Sequence, residues 1–150
     1  MESSAQPALV LVVANRTAAT PALIACVRER AQKGPSQFTL LVPNTSSGLE
    51  RIADPEDHDD ADAKATLELA LPLLEEAAGT PVTGMVGAPA PLDAIQDAIN
   101  LHGFDEIILS TLPTRVSRWL KLDLPSKLTG LGLPVTTVTP AGRQEESVPS

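Results

Sequence analysis

The sequence predicts a small doubly wound α/β domain: a parallel five-stranded sheet with helices on both faces. Two continuous apolar runs carry most of that reading. Ala8 to Ala14 (ALVLVVA) and Glu106 to Ser110 (EIILS) do not alternate with polar residues, which is how strands buried on both faces read. The third observation is the spacing between such runs. Strand-like segments are separated by stretches with apolar residues at helical period, long enough for the crossovers that parallel strands need.

The elements follow in order. Asn15-Arg16-Thr17 leaves the first strand as a polar turn, and Thr20-Pro21 opens a helix, with Thr as N-cap and Pro at the first position. Leu23, Val27 and Ala31 form its inner face, and Gly34-Pro35 stops it. Phe38 to Val42 is the second strand. Residues 43–61 carry Glu50, Asp54, Glu56, Asp57, Asp59 and Asp60 against a single Arg51, and are expected to be a mobile acidic loop. Neither the spacing of these carboxylates nor the neighbouring His58 makes a metal site, because the EF-hand pattern with its central Gly and final Glu is absent. A helix from Asp62 to Ala78 presents Leu67, Leu71, Leu74 and Ala78 inward and is expected to kink at Pro72.

Pro81 to Val86 is the third strand, and Gly87-Ala88-Pro89 leads to a helix marked by Leu92, Ile95 and Ile99. His102 falls at the end of that helix, a position the dipole favours, before the stop at Gly103. The fourth strand ends at Ser110. A polar basic loop follows, with Arg115, Arg118, Trp119 and Lys121, then a short helix and a last strand, Val135 to Val138. That strand alternates through Thr136 and Thr137 and has no charge or proline, so it reads as an open edge suited to a homodimer. Residues 1–7 and 139–150 are expected to be flexible ends around a domain spanning 8–138.

Composition excludes several classes. A chain of 150 residues with 43% hydrophobic and 2% aromatic content builds one domain around Leu, Val, Ile and Ala. The net charge of -8 and the scarcity of stacking side chains argue against nucleic acid as a partner. Cys26, alone, reads as a small buried hydrophobe in a reducing compartment. With no signal-like start and no membrane-length apolar run, a cytoplasmic location is expected, and the glycosylation patterns at Asn15 and Asn44 are taken as chance.

Taken together, the first strand ending in Asn15, the turn Val86-Gly87-Ala88-Pro89 followed by Leu92 and Ile95, the strand Phe104-Asp105-Glu106-Ile107-Ile108 and the closing Leu133-Pro134-Val135 resemble the universal stress protein family over nearly the whole chain. The resemblance implies strand order 3-2-1-4-5, frequent homodimers and, in one branch, ATP binding. That branch has Gly-x-x-Gly after the fourth strand and, nine residues on, Gly-Ser or Gly-Thr. Here Ser110 and Pro113 replace the first pair, and Leu122 and Asp123 the last. Pro113 offers no amide proton, and Asp123 places a negative charge where a helix start would attract an anion. Asn15 stands where the family has an aspartate that contacts adenine. ATP is therefore doubtful as a cofactor and no other is expected.

The candidate cleft after the first strand holds Asn15, Arg16 and Thr17, with Gly87 contributed by the turn after the third. After the fourth strand it holds Ser110, Thr111, Arg115, Arg118, Lys121 and Asp123. Arg grips phosphate or carboxylate by a planar fork and needs no glycine cradle to do so. No Gly-x-Ser-x-Gly elbow is present, and neither histidine has a Ser or Cys partner, so no catalytic residue is assigned. Three readings stand: a non-enzymatic stress-response domain with a degenerate nucleotide cleft that takes a small anionic ligand, a nucleotide binder using the Arg and Lys cluster, or a ligand-free interaction module.

Overall fold

The apolar run near the start of the chain becomes β1 (Ala8–Val13), and its two faces feed two separate cores. Val10 and Val12 point to one face, Leu11 and Val13 to the other, all four at 0% exposure. A computed structural model describes residues 7–14, 18–43, 60–87, 91–111, 123–139 and 142–146, with the backbone alone for 60–63, 91 and 142–146. β1 pairs in parallel with β2 (Ser36–Pro43) on one side and β4 (Glu106–Ser110) on the other. β2 carries β3 (Val82–Gly87), and β4 carries β5 (Val135–Thr139), giving the order β3-β2-β1-β4-β5. This is the order that the resemblance implied, and the fold is universal-stress-like.

Four helices cover the sheet. On the first face α1 (Pro21–Gln32) and α2 (Asp60–Ala78) bury Leu23, Cys26, Val27, Ala70, Leu74 and Ala77 against Val10, Val12, Leu40 and Ile108. On the second face α3 (Pro91–His102) and α4 (Leu124–Thr129) bury Ala94, Ile95, Ala98, Leu124 and Leu128 against Leu11, Val13, Leu41, Ile107 and Leu109. The expected apolar stripes point inward, but the small residues Ala70, Ala77, Ala94 and Ala98 are buried more deeply than Leu71, Leu92 and Ile99. Small side chains let a helix approach the sheet closely, and the larger ones then wrap its shoulders. α2 runs through Pro72, whose ring lies on the exposed side where a missing amide proton costs least. α2 and α3 are followed by Gly79 and Gly103, each at φ +73° and each donating its amide to the carbonyl four residues earlier.

The far side of the sheet differs from the sequence expectation. Val135 to Val138 is not an open edge, because the chain returns as β6 (Gly142–Glu146), antiparallel to β5, with Val135 opposite Glu146 and Thr139 opposite Gly142. The sheet therefore has six strands, and residues 142–146 belong to it. Arg143, Glu145 and Glu146 give the new edge a charged strand of the kind that resists pairing with another chain. Val135, Thr136, Thr137 and Val138, expected as an open dimer edge, thus have a strand of the same chain beside them. The acidic segment 44–59 lies outside the described residues.

Among the described residues, β5 contains a buried polar side-chain atom without a partner. Thr137 is 6% exposed and its Oγ1 has no hydrogen-bond partner. A buried hydroxyl without a partner costs about 1–3 kcal/mol. Thr137→Val keeps the shape and the β-branching, so it is expected to raise stability by about 1 kcal/mol and the melting temperature by about 2–4 °C. Thermal unfolding followed by circular dichroism checks this; a lower melting temperature would show that the hydroxyl is satisfied after all.

At the amino ends of the strands a polar clasp ties the two halves of the sheet. Arg30, in the last turn of α1, donates from Nε to Glu106 Oε1 at 2.9 Å and from Nη1 to Ser36 Oγ at 3.2 Å. Ser36 Oγ in turn donates to the Gly34 carbonyl at 3.0 Å. Beside it, the Asp105 amide donates to the Leu9 carbonyl at 2.7 Å while Asp105 Oδ2 accepts from the Leu9 amide at 2.8 Å, which prolongs the β1–β4 ladder through a side chain.

Candidate functional site

In a doubly wound sheet, ligands bind outside the carboxyl ends of the strands at the point where the strand order reverses. Here that point lies between β1 and β4, which are direct neighbours, with Val13 opposite Leu109. The connection after β1 leads toward α1 on one face, and the connection after β4 leads toward α4 on the other. In sequence, Arg16 follows two residues after Ala14 and Arg115 four residues after Thr111. Asn15, Arg16, Thr17, Arg115, Arg118 and Lys121 themselves lie outside the described residues.

Four predicted site residues are described, and they fall into different roles. Ser110 and Thr111 are at the right end of β4 but are 1% and 0% exposed, and both make interactions within the fold. The Thr111 amide donates to the Val138 carbonyl at 2.9 Å, continuing the β4–β5 ladder past its last strand residue. Gly87 is at the carboxyl end of β3, two strands away from β1, where it pairs with Pro43. A Cβ there would fall 2.7 Å from Leu41 Cδ1 and 2.8 Å from Ala94 Cβ. Its bareness is used by α3, which comes down onto the sheet at that spot.

Asp123 is the described residue that bears most directly on ligand chemistry. It precedes α4 in the left-handed region, at φ 58° and ψ 40°, the only non-glycine with positive φ among the described residues. Asp and Asn tolerate that conformation better than other side chains. Its carbonyl accepts from the Lys127 amide at 3.2 Å, but its carboxylate caps no amide. The side chain is exposed. A negative charge thus stands in solvent beside the start of the helix that follows the basic loop.

A groove of about 740 Å³ lies at the opposite pole, lined by Pro7, Ala8, Leu9, Pro35, Gln37 and Asp105. It is at the amino ends of the strands, and its one carboxylate is held by the Leu9 amide. His102 is exposed at the end of α3, with its ring edge-to-face to Phe104 at 6.3 Å. Among the described residues no three His, Cys, Asp or Glu side chains gather as metal ligands do, and no helix is long and apolar enough to cross a membrane.

No protein-family model and no curated protein matches the chain. Solved structures do. A hypothetical protein designated PH0823 superposes with a TM-score of 0.58 at 15% identity, over 95% of this chain and 98% of that one. Protein Rv1636 from Mycobacterium tuberculosis H37Rv gives a TM-score of 0.42 at 18% identity, over 86% of this chain and 92% of that one. At the identity of the first, the likeness is one of fold.

Proposed function

We propose that this is a non-enzymatic, universal-stress-like regulatory domain whose nucleotide cleft has degenerated into a weak site for a small anion. The observation that carries the reading is the adjacency of β1 and β4. It sets side by side the strand ends whose connections carry, in sequence, Arg16 on one side and Arg115, Arg118 and Lys121 on the other, and in this reading those four cations hold the anion. Phosphate or carboxylate is the class of group such cations hold. ATP bound through a glycine cradle is disfavoured, since Pro113 has no amide proton and the Asp123 carboxylate stands in solvent at the start of α4.

Isothermal titration tests this directly. ATP is expected to bind no tighter than about 0.1 mM, equivalent to roughly 5.5 kcal/mol, and pyrophosphate to compete with it. Removing the carboxylate by Asp123→Gly is expected to tighten anion binding about two- to fivefold, the size of a charge effect at a helix start. Glycine also suits the left-handed backbone at that position, so the variant should fold. A low-micromolar ATP constant in the unmodified protein would replace this reading with that of a dedicated nucleotide binder. No binding in either protein would favour a ligand-free module.

A further inference from the structure

With β5 covered, the open side of the sheet is β3, and we propose that two copies of this chain pair there, β3 against β3, about a two-fold axis normal to the sheet. Among the described residues β3 has one neighbour, β2. Its sequence, Val-Thr-Gly-Met-Val-Gly, carries no charge and no proline, in contrast to Gly-Arg-Gln-Glu-Glu on the opposite edge. The Val82 amide is taken by Glu75 Oε2 at 3.1 Å, a side chain of α2, which shows that this amide is turned away from the ladder with β2. Strand amides alternate in direction, so those of Gly84 and Val86 face the same open side. Antiparallel pairing about a dyad sets this strand against itself with no like charges opposed.

The helices fit the same arrangement. α2 and α3 each lie over both β2 and β3, on opposite faces. Each is therefore about one strand spacing, about 5 Å, from such a dyad, and each pair of symmetry-related helices comes to rest about 10 Å apart, the distance at which helices pack. On α3, Ala94 marks the flank that lies over β3, through its approach to Gly87. Leu101 is two turns further on along that flank, about 10 Å or three strand residues back toward the middle of β3. Leu101 is 73% exposed, more than any other large hydrophobic side chain described. The dyad sets it beside its own copy.

On α2 the matching flank is marked by Glu75, through its bond to the Val82 amide. Lys64 lies eleven residues earlier on the same flank and is exposed. Because the two α2 helices run antiparallel, the Lys64 end of each meets the Glu75 end of the other. One face of the junction is thus closed by leucine and the other by opposite charge, which is why a second copy fits this edge better than an arbitrary extended peptide.

Sedimentation equilibrium of the full chain at about 100 µM is expected to show a dimer, and Leu101→Asp to raise its dissociation constant at least about a hundredfold, since each dimer loses two buried leucines. Leu101→Ser serves as a milder version with the same expected direction. Leu101→Cys should give a disulfide-linked dimer on mild oxidation, while Leu69→Cys, exposed on α2 away from the strand, should not. A monomer at about 100 µM, a dimer untouched by Leu101→Asp, or equal crosslinking at the two cysteines would each overturn the proposal.

Discussion

Removing residues 140–150 is expected to lower the melting temperature by about 5–15 °C and to turn the protein into an open-ended assembly. The segment supplies β6, the antiparallel neighbour of β5 across five register pairs. Losing that ladder removes several backbone hydrogen bonds at about 0.5–1.5 kcal/mol each, an expected loss of about 2–4 kcal/mol. The larger consequence is the edge it uncovers. Val135 to Val138 then presents unpaired backbone groups on a β-branched strand without charge, the pattern that invites edge-to-edge pairing. Together with β3 on the other side, each molecule then has two pairing edges instead of one, and assembly no longer closes. Light scattering and thermal melting measure both effects. Thr139→Lys in the shortened chain is expected to suppress the association, by placing a charge on the new edge, without restoring the melting temperature. A shortened chain with unchanged melting temperature and size would mean that β6 contributes nothing in solution.

Gly87→Ala is expected to cost about 2 kcal/mol, and about 4–8 °C in melting temperature, with little effect on anion binding. A single methyl group at this position meets Leu41 Cδ1 at 2.7 Å and Ala94 Cβ at 2.8 Å. The leucine can turn, but the alanine is fixed to α3, so relief requires the helix to lift from the sheet. That separation exposes the apolar layer formed by Leu41, Ala94 and Ile95. Gly87, at the carboxyl end of β3, lies two strands from β1, about 10 Å away at ordinary strand spacing, so a ligand held between β1 and β4 does not need it. Denaturant unfolding and titration calorimetry on the same variant separate the two roles. Full stability with lost binding would return Gly87 to the site.

The sequence by itself determined the layers. Continuous apolar runs such as Val10 to Val13 and Ile107 to Leu109 can be satisfied only by burial on two faces, and the helical stripes between them had to supply the cover. The strand order β3-β2-β1-β4-β5 was reached through family resemblance, since apolar pattern alone does not say which strands are neighbours. Tertiary structure alone decided the last strand. Gly-Arg-Gln-Glu-Glu has neither apolar alternation nor β-branched residues, and it becomes β6 because an edge strand needs only backbone groups opposite a partner already fixed in place. Tertiary structure also decided what the glycines and small residues are for. Gly87 reads as a loop glycine near a ligand until Leu41 and Ala94 are seen against it, and Leu101 reads as one more helix residue until its flank is traced to an open strand. Local pattern records which side chains avoid water, whereas the pairing of edges depends on which backbone groups remain unsatisfied once everything else is in place.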